Sequence, residues 1–397
     1  MTAPVEDWPI RARRLADELT TAGKLTSVAW RDAVCAVPRH AFAPEVFRQD
    51  RQEHHDPTWR RMDTSTDDGR DRWLDQVYSN IALITALTGT PSGAASRSSS
   101  SMPGLMTRML EALDVREGNR VLEIGTGTGY NAALLSHRLG AANVFSVDVE
   151  PDLVDTARER LAELGYRPVL LTADGARGLP EHAPFDRIIS TCAVSSVPWA
   201  WVEQTTVGGV ILTDLKIAFG AGSLVRLTRL PDRAEGRFDP VYAGFMRLRH
   251  EPVAQATPAR ARSAVADRTA EPERRTTTLH PRTPWTSLIT WFLAGFVLGD
   301  GTSLGYGRFV DGKPTVATIT APDGSWAEVD LDDDHGVHTV VEGGPRRAWR
   351  IFEDAHSTWQ RLGEPGWDRF GMTVTAARQQ VWFDSPDGDL IWHVRSA

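Results

Sequence analysis

The sequence predicts an α/β protein whose central part is a doubly wound parallel sheet, preceded by helices and followed by a smaller α+β part. Residues 120–214 alternate short apolar strands with amphipathic helices, which is typical of parallel βα units. Residues 251–284 are rich in Pro, Ala, Arg and Thr and nearly lack large apolar residues, as linkers do. Beyond residue 284, alternating apolar and polar residues around Pro-Asp-Gly turns predict antiparallel hairpins. The central part is therefore predicted to be Rossmann-like.

The chain divides into four predicted parts. Residues 1–93 are predicted to form an N-terminal helical region, because apolar residues recur there at helical spacing. Residues 94–250 hold the sheet domain, and residues 251–284 are the linker. Residues 285–397 form a C-terminal α+β domain, for which we predict a role in peptide recognition.

Charge and cysteine content exclude several classes of protein. The 44 Lys and Arg against 52 Asp and Glu give a formal net charge of −8, which disfavours a nucleic-acid partner. Cys35 and Cys192 lie far apart and predict neither a disulfide framework nor a metal site. The sequence lacks a signal-peptide core and a run approaching the roughly 18 apolar residues of a membrane span. We therefore expect a cytoplasmic protein without metal or membrane partner, of undetermined oligomeric state.

The segment VLEIGTGTGYNAALL carries the clearest chemical signal. A strand ends near Glu123 and is followed by Gly125, Gly127 and Gly129 and then by a helix. Glycine allows tight turning and close approach of the backbone to a ligand. Dinucleotide sites use the spacing G-x-G-x-x-G to seat a pyrophosphate, whereas this loop reads G-x-G-x-G with an acid two residues before it. This pattern matches the usual loop for S-adenosylmethionine, which has no phosphate.

Acidic residues end three successive strands of the predicted sheet. Asp148 closes the second strand and can accept hydrogen bonds from both ribose hydroxyls, and Asp174 closes the third and can accept from the adenine amino group. Glu123 can order the loop or meet the ammonium of the amino-acid tail. Parallel strands bring these ends to one edge of the sheet, where doubly wound folds bind cofactors. The residues predicted here to bind S-adenosylmethionine are Glu123, Ile124, Gly125, Thr126, Gly127, Gly129, Tyr130, Asp148, Val149, Asp174 and Gly175.

Several further segments resemble protein-L-isoaspartate O-methyltransferases. They are VPRHAFAPE, a serine-rich stretch ending in S-x-P, ERLAELGY and ADGARGLPEHAPFDRIIST, and the resemblance covers roughly residues 10–215. It implies an S-adenosylmethionine-dependent methyltransferase fold acting on a peptide carboxylate. In that family a segment of the type T-I-S-x-P precedes the cofactor loop, and its serine contacts the substrate carboxylate. Aligned on Pro103, Ser99 takes the threonine position and Ser101 the serine position.

The resemblance assigns roles to this serine segment. Ser99 and Ser101 are predicted catalytic residues that orient the carboxylate, and Ser101 is also predicted to contact the cofactor. A carboxylate is already a nucleophile at neutral pH, so the reaction needs placement and partial desolvation rather than a strong base. The residues predicted to bind the substrate are Ser100, Met102, Pro103 and Val194.

The chain departs from the repair enzymes in length, in its serine run and in its C-terminal part. These departures resemble the methyltransferases of ATP-grasp peptide maturase (graspetide) systems, as does the pattern WRIFEDAHSTWQRLG followed by RFGMTVTAARQQVWFD. That resemblance implies methylation of an Asp side chain in a crosslinked ribosomal precursor peptide. The backbone amide of the next residue then attacks the ester, which gives an aspartimide.

Three alternatives remain open at this point. The first is isoaspartyl repair by an enzyme with an additional domain. The second is methylation of a small molecule, and the third is a peptide-binding scaffold whose methyltransferase fold is inactive. The intact acids and glycine loop disfavour the third alternative.

Overall fold

The computed structural model describes residues 7–50, 58–62, 64–89, 95–251, 272–332 and 335–395. Its helices are α1 (Trp8–Thr21), α2 (Val28–Ala36), α3 (Arg39–Phe42), α4 (Asp67–Val77), α5 (Pro103–Ala112), α6 (Tyr130–Leu139), α7 (Pro151–Glu163), α8 (Trp199–Glu203), α9 (Thr283–Thr286), α10 (Leu288–Leu298) and α11 (Ala348–Arg361). In the described residues, no helix is both long enough and apolar enough to span a bilayer.

The strands follow the same chain order. They are β1 (Phe47–Asp50), β2 (Thr58–Arg61), β3 (Leu83–Thr88), β4 (Ala95–Ser100), β5 (Val121–Ile124), β6 (Val144–Asp148), β7 (Val169–Thr172), β8 (Phe185–Val194), β9 (Thr205–Leu215), β10 (Leu224–Arg229), β11 (Ala234–Phe238), β12 (Glu273–Thr277), β13 (Ser303–Val310), β14 (Lys313–Thr320), β15 (Trp326–Asp330), β16 (His338–Gly343), β17 (Phe370–Val374), β18 (Gln379–Phe383) and β19 (Ile391–Val394).

The chain forms two compact units. The first unit comprises Met1–Cys192, Ala200–Leu212 and Leu248–Ala256, and the second comprises Ala193–Trp199, Thr213–Arg247 and Thr257–Ala397. Strands β8 and β9 therefore begin in the first unit and end in the second. The predicted division into four domains stays a prediction.

The sheet of the first unit has the predicted parallel core. Its strand order is β7-β6-β5-β8-β9, and β6 pairs in parallel with β7 and β5, while β5 pairs in parallel with β8. The chain moves outward from β5 through β6 to β7 and then returns to the other side of β5 with β8. The order reverses at β5, so the carboxyl end of β5 lies at the switch point where such sheets bind ligands.

The N-terminal region contains strands that we did not predict. Strands β2, β1, β3 and β4 form an antiparallel sheet in that order. The serine run is therefore a strand, with Ser99 opposite Ile84 and Ser100 opposite Leu83. Serine has low strand propensity, and pairing with the β-branched strand LITALT overrides it. Ala94, the first residue of the serine-rich segment, lies outside the described residues.

The second unit contains two antiparallel arrangements. One has the order β9-β10-β11-β17-β18-β19, and the other has the order β12-β16-β15-β14-β13. The predicted hairpin around the Pro-Asp-Gly turn is confirmed as β14–β15, with Thr320 opposite Trp326. Most of the predicted linker, residues 252–271, lies outside the described residues. The C-terminal end of the predicted linker is not an unstructured linker, because it contains strand β12, which pairs with β16, and then the start of helix α9.

Candidate active site

The glycine loop connects β5 to α6 in a conformation that only glycine adopts readily. Gly125, Gly127 and Gly129 have φ values of +96°, +50° and +86°. A Cβ atom at Gly125 would lie 2.7 Å from both the Sγ atom of Cys192 and the Oγ1 atom of Thr191. These three left-handed residues fold the backbone tightly at the sheet edge, which fits a loop that cradles a ligand.

Glu123 lies beneath this loop and is completely buried. Its Oε1 atom accepts a hydrogen bond from Asn131 Nδ2 at 2.7 Å, and its Oε2 atom accepts one from Ser146 Oγ at 2.6 Å. Burial raises the pKa of Glu123 to about 7, while the two hydrogen bonds act in the opposite direction. Of the two roles left open by the sequence, this environment favours ordering the loop.

Asp148 connects the loop to the next strand. Its Oδ2 atom accepts a hydrogen bond from the Gly127 backbone N–H at 2.9 Å, and its Oδ1 atom accepts one from the Glu150 N–H at 3.1 Å. Burial raises the pKa of Asp148, and these two bonds lower it. A carboxylate has about four acceptor positions, so two remain for the hydroxyls of a ribose.

Asp174 lies at the end of the third strand, as predicted, and caps a short 3-10 helix. Its Oδ1 atom accepts from the Ala176 N–H at 3.0 Å, and His250 Nδ1 lies 3.1 Å from its Oδ2 atom. Gly175 allows close packing beside it, because a Cβ there would lie 2.6 Å from Ile124 Cγ2. His250 was not predicted to lie at this edge.

The serine strand lies against the glycine loop. A Cβ at Gly127 would lie 3.8 Å from both the Ser98 Oγ atom and the Ser99 carbonyl oxygen. Ser98 and Ser100 are buried, whereas Ser99 and Ser101 are partly exposed, as the two-residue alternation of a strand requires. Among the described residues, the hydroxyls of Ser99 and Ser101 have no hydrogen-bond partner in the protein. They are therefore available to a ligand.

Buried Arg39 holds the serine segment in place. Its guanidinium donates to the carbonyl oxygens of Val77, Ser79, Ile81 and Ser101 at 2.6, 3.1, 3.1 and 3.0 Å. Burial lowers its pKa to about 10, so it stays charged at neutral pH. Arg39 therefore fixes the backbone that presents Ser101.

The predicted substrate residue Ser100 is placed differently from the expectation. Its side chain is buried, and its Oγ atom lies 3.4 Å from Arg39 Nη2, from which it accepts a hydrogen bond. Because it faces Arg39, its placement favours a structural role rather than substrate contact. The other three residues predicted to contact substrate also have defined positions. Met102 is partly buried before α5, Pro103 is buried at its first turn, and Val194 is buried at the end of β8 in the second unit.

Comparison with known proteins identifies the family. The family model described as "Protein-L-isoaspartate(D-aspartate) O-methyltransferase (PCMT)" matches residues 66–229. The protein-L-isoaspartate O-methyltransferase of Ignicoccus hospitalis is 37% identical over 224 residues, which cover 56% of this chain and 90% of that protein. That of Methylorubrum populi is 35% identical over 233 residues, which cover 58% and 92%. The chain belongs to the protein-L-isoaspartate O-methyltransferase family.

Family membership confirms the predicted enzyme class, an S-adenosylmethionine-dependent carboxyl O-methyltransferase, and its predicted cofactor. A solved structure named protein-L-isoaspartate O-methyltransferase aligns with 94% of this chain and 100% of its own, with a TM-score of 0.53 and 20% identity. This likeness confirms the predicted fold class.

The remaining predicted cofactor residues line the base of this methyltransferase loop. Ile124 is buried, and Thr126 Oγ1 lies 2.7 Å from Ser146 Oγ. Tyr130 begins α6 with its ring 5.9 Å from the Arg39 guanidinium, and Val149 is partly exposed after Asp148. The Tyr130 ring therefore packs beside Arg39 and helps to support the loop.

Sequence reasoning missed the segment that crosses the cofactor edge of the methyltransferase. Arg249 forms an ion pair with buried Glu150 at 3.1 Å and donates to the Arg97 carbonyl oxygen on β4 at 3.2 Å. The Arg97 side chain in turn pairs with Asp152 at the start of α7. These two arginines connect the serine strand to the turn that follows Asp148. About a hundred residues separate Arg249 from Glu150 along the chain, so no local sequence pattern predicts this contact.

Proposed function

We propose that this chain transfers a methyl group from S-adenosylmethionine to the carboxylate of an isoaspartyl residue in a peptide or protein. The observation that carries the proposal is the position of the serine strand, whose Ser98 Oγ atom and Ser99 carbonyl oxygen lie nearest to Gly127. Ser99 and Ser101 belong to the same segment, and among the described residues their hydroxyls have no hydrogen-bond partner in the protein. Relatives that are 37% and 35% identical to this chain are named as protein-L-isoaspartate O-methyltransferases. An isoaspartyl residue presents a free carboxylate of the kind that these hydroxyls would hold.

The residues at the site fit orientation and desolvation of a carboxylate. When bound, S-adenosylmethionine supplies a sulfonium methyl group to which a carboxylate oxygen bonds as the bond from carbon to sulfur breaks. Ser99 and Ser101 would donate hydrogen bonds that align the substrate carboxylate without taking a proton from it. Arg39 and Arg249 hold the serine strand at the loop through its backbone carbonyls. Such alignment is the principal contribution an enzyme can make to this displacement.

Mass spectrometry with two matched peptides tests the proposal. The peptides have the same sequence and carry either isoaspartate or ordinary aspartate at one position. We expect a gain of one methyl group on the isoaspartyl peptide, followed by loss of methanol, and no change on the aspartyl peptide. Equal labelling of both peptides, or of neither, would contradict the proposal.

A second candidate is methylation of an Asp side chain in a crosslinked ribosomal peptide, with closure of the ester to an aspartimide. It is supported by the sequence pattern of α11, β17 and β18, which resembles graspetide methyltransferases. In this proposal the C-terminal domain recognises the precursor peptide. A net loss of water only from a peptide that its ATP-grasp ligase has already crosslinked would favour this candidate over isoaspartyl repair.

Replacing Ser101 by alanine should lower turnover about 10- to 100-fold while the dissociation constant of the cofactor changes little. A hydrogen bond to a charged group contributes roughly 1.5–3 kcal/mol, and this variant removes one such bond to the carboxylate. Steady-state methylation and a cofactor titration measure the two effects separately. Ser96→Ala, on the strand that precedes Ser101, is the control, and comparable turnover in both variants would refute the catalytic role of Ser101.

A further inference from the structure

The N-terminal sheet of the first unit contains a cavity that the proposed reaction does not use. Strands β1 and β3 pair at Phe47 and Ile84, and in the described part of the chain this is their only paired position. Beyond this pair, Arg48 and Gln49 of β1 and residues 81–83 around the start of β3 line the cavity, which therefore lies where the two strands separate. Its volume is about 340 Å³, at the lower end of the roughly 300–1,000 Å³ of ligand pockets, so it accepts one or two side chains.

The wall of this cavity is largely apolar and partly exposed. Phe47, Trp59 and Ile84 are half-buried where they line it. Ile81 lines it as well and is 43% exposed. Arg48 is the only charged side chain among the described residues that line it. Covering such a wall removes apolar surface from water, so the cavity favours an apolar ligand side chain, and the guanidinium disfavours a cationic one.

The register of the sheet places this wall beside the serine assigned to the substrate carboxylate. Ser99 lies opposite Ile84, and Ile84 lies opposite Phe47, so the three residues form one row across β4, β3 and β1. Residues directly opposite each other in antiparallel strands point to the same face of a sheet. The neighbouring pair, Leu83 and Ser100, is buried and points to the other face. The apolar wall and Ser99 therefore share the outer face of this sheet.

The distance along this row fits neighbouring positions of one peptide. Adjacent strands lie about 4.8 Å apart, so two strand spacings put Phe47 about 10 Å from Ser99. An extended peptide rises about 3.3 Å per residue and covers this distance in three residues. The sheet, the cavity and the glycine loop all belong to the first unit.

We propose that this cavity is a subsite for the peptide substrate and receives an aromatic or large aliphatic side chain two or three residues from the methylated position. Phe47, Trp59 and Ile84 cover that side chain while Ser99 holds the carboxylate. The inference rests on the proposed function, because it needs a peptide carboxylate at Ser99. It adds a preference for the sequence around the methylated residue.

A series of fluorescein-labelled isoaspartyl peptides tests this inference. Each peptide carries Phe, Ser or Lys at one of the four positions before or the four positions after the target, with glycine and serine elsewhere. Fluorescence anisotropy gives the affinity of each peptide for the full chain, and methylation gives KM and kcat. We expect Phe two or three residues from the target to bind about 5- to 20-fold more tightly than Ser at the same position, because its ring is partly buried. Lys there should bind most weakly, and the differences should appear in KM rather than in kcat.

Two variants connect the preference to the cavity. Phe47→Trp places a larger ring in the cavity and should remove most of the preference for Phe, and Ile81→Ser should lower it about 2- to 3-fold. Val28→Ser is the matched control, because Val28 is an apolar residue of α2 in the same unit, is 84% exposed and does not line the cavity. It should keep the parent preference. All three variants should bind S-adenosylmethionine with the parent dissociation constant, which verifies that they fold.

No preference for Phe at any position, or a preference of the same size in the parent, Phe47→Trp and Ile81→Ser, would overturn the inference. A parent chain that is dimeric by light scattering and becomes monomeric in Ile81→Ser would also overturn it, because a second copy would then occupy the cavity. Equal methylation of all isoaspartyl peptides would leave the proposed function intact and remove the subsite alone. Phe-dependent binding without methylation would instead contradict the proposed function and leave the peptide subsite standing.

Discussion

Replacing Asp148 by alanine should weaken the binding of S-adenosylmethionine about 10- to 100-fold. The variant removes the acceptors that the ribose hydroxyls would use, and each such bond contributes on the order of 1–3 kcal/mol. It also removes the carboxylate oxygens that accept hydrogen bonds from the Gly127 N–H at 2.9 Å and from the Glu150 N–H at 3.1 Å. The glycine loop thereby loses its connection to the next strand. Isothermal titration with S-adenosylmethionine and with S-adenosylhomocysteine measures the loss.

Asp155→Ala is the matched control for this prediction. Asp155 is an exposed acid on the adjoining helix α7. Its carboxylate forms an ion pair with Arg158, three residues later on the same helix. Exposed pairs of this kind contribute little to stability, so the control should bind both ligands like the parent. If Asp148→Ala binds both ligands with the parent dissociation constant, the assignment of Asp148 to the ribose is wrong.

The cofactor edge could be predicted from the sequence because its determinants are local. Each acid directly follows an apolar strand, and the parallel arrangement then brings Asp148 and Asp174 to one edge whatever the rest of the fold does. The spacing of Gly125, Gly127 and Gly129 likewise indicates a backbone with positive φ angles at these three positions. In these places local sequence and tertiary structure specify the same arrangement.

The serine segment shows where local reasoning fails. Composition favours a flexible tether there, and the resemblance to a family placed the serines at the site without giving their secondary structure. The strand exists because Leu83 and Ile84 pair with Ser100 and Ser99, and this pairing decides which hydroxyls face Arg39. The role of Ser100 could not be predicted, because it depends on that register.

The same limit applies to the arginines that support the site. Arg39 donates hydrogen bonds to carbonyl oxygens of two separate loops, and Arg249 bridges the serine strand and buried Glu150. Neither contact follows from helix or strand periodicity, because the partners meet only after the sheet has formed. The buried carbonyl oxygens near Arg39 need a donor, and a guanidinium with its five N–H groups satisfies several of them at once.

Glu123→Ala should strongly lower the melting temperature of the protein, whereas Glu123→Gln should not. Alanine leaves the buried Asn131 Nδ2 and Ser146 Oγ donors without their acceptor, at a cost of about 1–3 kcal/mol, and adds a cavity. In the parent, Ser146 donates to Glu123, so Thr126 Oγ1 donates to Ser146. Glutamine can keep the bond from Asn131 and reverse this chain of hydroxyls, with its amide donating to Ser146 and Ser146 donating to Thr126.

The pH dependence of the melting temperature distinguishes the contribution of the Glu123 charge from that of its size and hydrogen bonds. Its pKa of about 7 in the folded protein lies above its ordinary value of 4.5, so the folded protein holds this proton more tightly than the unfolded chain does. The contribution of Glu123 to stability is therefore fully present below about pH 4.5, falls as the pH rises to about 7 and is constant above that. Melting temperatures measured across this range should show Glu123→Gln gaining on the parent as the pH rises, while Glu123→Ala stays below both. A constant difference between Glu123→Gln and the parent would show that Glu123 does not titrate differently in the folded protein, and its buried carboxylate would then need another compensating partner.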